Sequence, residues 1–330
     1  DCPPHFYAKG DMNPQYPYFK YLMNYMNRVC HLINGGVHVP NVAVLYDAEL
    51  DWSGEYEPVE CVGKIMAQNQ IDYEIVPADV LTECEIKDGK LVVGKETCKA
   101  LIIPKCDYIP KKVVKWCETA RKQGLPVLCF DKEPRAIDED IYLKAKVISE
   151  DELVKTLRDL GAYELELSDE SKHLRYYHYV QDEADFYLFF NESPVEAIHT
   201  YVKLGANGKN VFAYDAFDNK IYKAKMKDGA LKLDLAPYEA CIAVVGEVDE
   251  RILSNPFEEE ECTVTQIKGP WKLVLKEVGR EDEVTEENFS RLYDITAPSN
   301  KPYFTGSMEY ETKFYIDKGC SQALIDLGKV

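Results

Sequence analysis

Cys106 stands just beyond the apolar run 101–104, a position where a nucleophile can be presented past the end of a buried strand. A turn that exposes such a nucleophile needs small residues around it, yet the neighbours here are Lys105, Asp107 and Tyr108, with no glycine. A histidine to take the thiol proton is also missing from this stretch. His38 precedes the first strand of the region, and His173, His178 and His199 follow its last element. Cys106 is therefore expected to be a packed thiol, with an enzymatic use of it kept as the alternative.

A second group lies in residues 47–54, Asp-Ala-Glu-Leu-Asp-Trp-Ser-Gly, directly after an apolar strand. The loop is acidic and aromatic, not glycine-rich, so it cannot wrap a phosphate in backbone N–H groups, and no nucleotide or flavin cofactor is expected. Asp47 and Glu49 can accept hydrogen bonds from sugar hydroxyls, and Trp52 offers a flat apolar face to a pyranose ring. The same side chains would equally suit contact with a neighbouring domain. Glycoside cleavage needs two carboxylates facing each other across roughly 5 to 9.5 Å. With 58 acidic residues there is no shortage of carboxylates, but spacing alone pairs none of them.

The eleven cysteines are scattered, odd in number and contain no Cys-x-x-Cys, which argues against a disulfide framework and a zinc module; no metal is expected. A reducing, cytoplasmic setting fits this usage. A formal net charge of -19 disfavours phosphate backbones and anionic lipid surfaces as partners, so neither nucleic acid nor membrane is expected. The run Glu258-Glu259-Glu260-Glu261 reads as a solvated linker. The chain opens on Asp1 instead of Met, and a preceding segment is expected to have been removed.

The elements that must hold these residues follow from hydrophobic periodicity. Phe19, Leu22, Met23, Met26, Val29, Cys30 and Ile33 predict an amphipathic helix, ended by Gly35-Gly36. Strands are then predicted at 42–46, 73–76, 101–104, 126–130 and 145–148, alternating with helices at 59–70 and 111–123 and with one capped by Ser149 and Glu152. Such alternation predicts a parallel, flavodoxin-like sheet. Asp88-Gly89 predicts a hairpin inserted at one edge. Beyond Gly161, strands at 174–180, 186–190, 211–214 and 231–235, separated by turns at Asp218-Asn219 and Asp228-Gly229, predict a β-sandwich. A last region with strands at 271–275, 308–316 and 323–327 holds too few strands to close a sheet alone. The fold class is thus α/β plus all-β. Its parts are an N-terminal segment and helix (1–36), a flavodoxin or amidotransferase-like domain (37–162), a β-sandwich (163–250) and an unfinished β domain (251–330), which the resemblance below implies is the start of a sugar-binding type.

Some of these runs resemble a known family. Pro3-Pro4-His5-Phe6-Tyr7-Ala8, Asn13-Pro14-Gln15, the helix 22–32, Val42-Ala43-Val44-Leu45-Tyr46 with Trp52-Ser53-Gly54, and residues 70–77 resemble the large α-L-rhamnosidase-like glycoside hydrolases. Trp271-Lys272-Leu273, Phe304-Thr305-Gly306 and residues 324–328 look like the opening of the jelly-roll sugar-binding domain of family 2 glycoside hydrolases. The resemblance implies a catalytic barrel upstream, whose last segment would be residues 1–36, with His5 and Tyr7 near its mouth. Neither the acid nor the nucleophile of that family maps onto a residue here. What it implies is a non-catalytic accessory portion of a glycoside hydrolase, without cofactor, that meets carbohydrate, the missing barrel or a second copy of itself. A free carbohydrate-binding or scaffold protein, and an amidotransferase-like enzyme using Cys106, are the alternatives.

Overall fold

The computed structural model describes residues 15–46, 48–137, 139–206, 210–254, 264–279, 284–290 and 297–316, together with 292, 294, 295, 318, 319, 323, 325 and 326. His5, Tyr7, Asp47 and the acidic run 258–261 lie outside the described residues. The chain divides into a large unit, Tyr25–Pro256, and a smaller one made of Asp1–Asn24 and Phe257–Val330. Among the described residues no helix is long and apolar enough to cross a membrane.

Helix α1 spans Phe19–Leu32. Its packing face differs from the expected one: Tyr25, Val29 and Leu32 lie against Phe212, Ala216, Ile242 and Val244, while Leu22 and Met26 are half exposed and Cys30 is exposed. Arg28 fixes this rotation by donating from Nη1 to the carbonyls of Ala216 (2.9 Å) and Phe217 (2.7 Å).

The α/β part runs β1 (Val37–His38), β2 (Val42–Tyr46), α2 (Val59–Gln68), β3 (Tyr73–Pro77), α3 (Ala78–Leu81), β4 (Glu85–Lys87), β5 (Lys90–Val93), β6 (Glu96–Cys98), β7 (Ala100–Ile103), β8 (Tyr108–Ile109), α4 (Lys111–Lys122), β9 (Val127–Phe130), β10 (Arg135–Ala136), β11 (Lys146–Ile148) and α5 (Glu150–Asp159). Five strands pair in parallel in the order β11-β9-β7-β2-β3. Numbered along the chain this is 2-1-3-4-5, the flavodoxin-like order. The strands read as unbroken apolar runs because both faces are covered. Ala43, Leu45, Leu101, Ile103 and Cys129 pack on the α4 side, and Val42, Val44, Ile102, Leu128 and Phe130 on the α2 and α5 side. The capping box of α5 forms as expected, with Ser149 N–H donating to Glu152 Oε2 at 3.0 Å. Asp88 and Gly89 take φ of 51° and 74°, which turns β4 into β5, and β6 adds a third antiparallel strand.

The sandwich comprises β12 (Glu166–Leu167), β13 (Leu174–Gln181), β14 (Ala184–Asn191), β15 (Ile198–Lys203), β16 (Val211–Asp215), β17 (Lys220–Lys223), β18 (Met226–Lys227), β19 (Ala230–Leu235) and β20 (Ala240–Val245). Its sheets run β1-β13-β14-β20-β16-β17 and β12-β15-β19-β18. Between them lies a core of Leu174, Tyr187, Phe189, Ile198, Val202, Leu233 and Val245. The two residues of β1 belong to the first of these sheets, pairing Val37 with Val180 and His38 with Tyr179. The chain thus starts in the sandwich before it enters the parallel sheet.

In the smaller unit β21 (Trp271–Glu277) is flanked by β22 (Val284–Phe289) and β23 (Gly306–Glu311), all antiparallel, over Leu273, Leu275 and Ile295. No strand is expected between 275 and 308, yet β22 lies there: in Val284-Thr285-Glu286-Glu287-Asn288-Phe289 only the two end residues are apolar, and the strand signal is lost.

Candidate functional site

In the 2-1-3-4-5 order, ligands bind outside the carboxyl ends of the strands, at the switch point between the first and third. Here those strands are β2 and β7. After Tyr46 the chain makes a 3-10 turn, Ala48–Trp52. Trp52 projects into solvent with 82% of its surface exposed, and Tyr46 (47%) and Tyr56 (37%) are partly exposed along the same stretch.

The switch point itself is covered by protein. Residues 55–57 return beside β7: Glu57 N–H donates to Lys105 O at 2.8 Å, Asp107 N–H to Glu55 O at 2.9 Å, and Tyr56 bridges Cys106. Lys105 Nζ joins Glu57 (2.8 Å) and Asp131 (3.7 Å), Lys132 pairs with Asp107, and the Arg135 guanidinium lies 4.6 Å from the centre of the Tyr108 ring. The ammonium of Lys132 and the backbone N–H of Glu55 hold the Asp107 carboxyl below its usual range. These pairs form an ionic lattice beyond the carboxyl ends of β7 and β9.

Cys106 is 1% exposed and packs in the α4-side core. Cys106→Ser is expected to cost about 1 to 3 kcal/mol, the price of burying a hydroxyl in an apolar site. Iodoacetamide should label exposed Cys30 and Cys61 well before Cys106; fast, selective labelling of Cys106 would revive the nucleophile reading.

The densest chemistry lies elsewhere, around a histidine that the sequence does not single out. His38 is 6% exposed and stacks on Tyr177 with ring centres 4.4 Å apart. Its Nε2 is 2.8 Å from Asp72 Oδ2, and its Nδ1 lies 3.4 Å from Glu74 Oε2 and 3.8 Å from Glu96 Oε1. Burial alone would lower the His38 pKa. The hydrogen bond to Asp72, the approach of Glu74 and the charges of Asp72 and Glu96 outweigh it and raise the value from 6.5 to about 9. Glu96 is pushed above the usual carboxylate range by burial first and then by Glu74. Burial, with Asp72 and Glu96, pushes Tyr177 up to about 12, so it stays neutral through this range.

A histidine whose folded pKa exceeds its unfolded one adds stability that is complete below about pH 6.5 and lost as pH rises through about 9. In metal-free buffer the urea midpoint should fall across that window, and His38→Gln should flatten the fall. An unchanged alkaline limb in the variant would assign the loss to other groups.

A parallel cluster surrounds His178, with Nδ1 2.8 Å from Glu164 and Nε2 3.1 Å from Asp185. A groove of about 460 Å³ is lined by Gln70, Arg158, Glu170, Ser171, His173 and Glu196 among others, and none of the residues chosen from sequence lines it.

No protein-family model matches the sequence, and no match is found among curated proteins. Among solved structures, a rhamnosidase from Novosphingobium sp. PP1Y superposes with a TM-score of 0.63 at 16% identity over 90% of this chain and 31% of its own. A β-galactosidase from Bacillus circulans sp. alkalophilus gives 0.45 at 10% identity, covering 70% and 44% of the two chains. An α-L-fucosidase isoenzyme 2 from Paenibacillus thiaminolyticus gives 0.42 at 11%, covering 72% and 52%. The first is a likeness of fold; the other two superpose too loosely to bear on it. This chain spans 31% of the length of the rhamnosidase.

Proposed function

We propose that this chain is a non-catalytic accessory portion of a glycoside hydrolase, one that organises domains and shapes a sugar site completed by a catalytic barrel or a partner subunit. The observation that carries this reading is the superposition of nine-tenths of the chain on a rhamnosidase. It is supported by the ionic lattice over the switch point and by the packed state of Cys106, which leave the parallel sheet as scaffold. In this reading residues 1–36 are the last barrel segment and helix, residues 251–330 begin a sugar-binding domain, and Trp52 is the contact that the first domain offers, with His5, Tyr7, Asp47 and Glu49 kept as further candidates.

The test is hydrolysis of aryl rhamnosides and galactosides by the purified chain. No turnover is expected, because among the described residues no barrel forms that would oppose two carboxylates. Turnover abolished by substituting one carboxylate of this chain would overturn the reading. Rhamnose titrated against tryptophan fluorescence should give at most weak binding, since an exposed indole alone encloses little of a ligand, and Trp52→Ala should abolish the response. Tight binding that survives Trp52→Ala would move the sugar site elsewhere on the chain.

A further inference from the structure

We propose that His38, Glu74 and Glu96 bind a divalent transition-metal ion of the zinc class, at the place where β1 passes between the sandwich and the parallel sheet. The three residues come from β1, β3 and β6, far apart in sequence, and their ligand atoms all lie within 4.8 Å of one another.

The imidazole is held in advance of any ion. Asp72 takes its Nε2 side, and the other Asp72 oxygen accepts the Tyr73 N–H at 2.9 Å, so the carboxylate is itself fixed. Tyr177 stacks on the ring and sets its plane. With Nε2–H donated to Asp72, Nδ1 faces the two glutamates and ligates an ion through the lone pair freed when its proton leaves. A carboxylate behind a histidine is the usual support of a metal-bound imidazole, fixing its tautomer and raising its basicity.

The distances also fit. At 3.4 Å and 3.8 Å the Nδ1 to oxygen separations exceed those of good hydrogen bonds. Ligands about 2.0 to 2.1 Å from a tetrahedral zinc stand about 3.3 to 3.4 Å apart, so the His38–Glu74 separation already matches and the His38–Glu96 one is slightly longer. Charge points the same way. Three carboxylates converge on one imidazole, and among the described residues no lysine or arginine comes within 4.0 Å of any of them. A dication neutralises that excess. The glutamate side chains are 35% and 25% exposed against 7% for the histidine, so an ion has a route in and water can complete its shell. One nitrogen and two oxygens suit zinc better than calcium or magnesium, which take all-oxygen shells.

The full-length chain, stripped with EDTA and exchanged into chelator-free buffer, would be titrated with zinc chloride in a calorimeter and with cobalt chloride in a spectrophotometer. We expect one ion per chain, proton release seen as a buffer-dependent heat, and a cobalt spectrum without the sulfur charge-transfer band that cysteine ligation would produce. Glu96→Gln, a partly exposed change that keeps the His38–Asp72 bond, should lower affinity at least 10-fold and remove the zinc-induced rise in Tm. Asp72→Asn should lower affinity about 10- to 100-fold through the ring it orients. Absence of a one-to-one heat, a thiolate band, or affinity unchanged in Glu96→Gln and Glu74→Gln would each overturn the proposal. Circular dichroism of each variant separates lost ligation from lost folding.

Discussion

His178→Ala is expected to lower the unfolding free energy by about 3 to 5 kcal/mol, the range for removing one partner of a buried charged cluster. His178 lies in β13 with its side chain 6% exposed, between Glu164 and Asp185 at 10% and 14%. Its ring stacks on Tyr187, which is fully buried, with centres 4.0 Å apart. The substitution removes the histidine that faces Glu164 Oε2 at 2.8 Å, in a carboxylate whose Oε1 is buried without a partner within 3.5 Å among the described residues, and it opens a void over Tyr187. Both effects fall on the wall of the sandwich core. Glu164→Gln in the same background should restore part of the loss, because it removes the charge that the imidazole faced. Urea midpoints of the two singles and the double measure the coupling. A loss below about 1 kcal/mol for His178→Ala would mean that water or a neighbour takes over the histidine's place.

The parallel sheet was the most legible part of this sequence, and the reason is physical. Strands covered on both faces are short apolar runs, and 42–46 matches β2 residue for residue. Ser149 with Glu152 and Asp88 with Gly89 are local devices, complete within four residues, so they read directly. The face of α1 was misread because Leu22, Met26 and Cys30 satisfy helical spacing, whereas the choice of Tyr25, Val29 and Leu32 depends on Arg28 reaching two carbonyls some 190 residues away. Strand β15 carries His199, Tyr201 and Lys203 on one face, which hid the apolar alternation of Ile198, Thr200 and Val202 on the other. As for sites, Trp52 is 82% exposed and Cys106 1% exposed. In the sequence His38 enters only as a residue preceding the first parallel strand. Only the pairing of β1 with β13, across 140 residues of chain, brings it to Tyr177, and only β3 and β6 bring Glu74 and Glu96; no sequence spacing encodes that meeting.

Gly36→Ala is expected to cost about 2 to 3 kcal/mol, or more, as overpacking against backbone does. A Cβ at Gly36 would lie 2.2 Å from the carbonyl oxygen of Val180, 2.7 Å from Tyr179 Cε1 and 2.9 Å from Gln181 Cβ. The first of these cannot yield, because Val180 belongs to β13, which β14 holds by eight consecutive residue pairs. What must move is β1, held by only two pairs and by the Val39 N–H to His178 O bond of 3.0 Å. Lifting it displaces His38 from Asp72 and Tyr177, so the variant should lose the histidine-dependent alkaline limb of stability along with the strand. Gly35 is the internal control. Its φ of 91° is one that an L side chain resists at about 1 to 2 kcal/mol, but a Cβ there meets nothing within 4 Å, so Gly35→Asn carries backbone strain without overlap and should keep the alkaline limb. Urea midpoints at pH 6.5 and pH 9 for both variants decide between space and backbone conformation. If Gly36→Ala proves as mild as Gly35→Asn and keeps the alkaline limb, β1 is not held against β13 as closely as the pairing of His38 with Tyr179 requires.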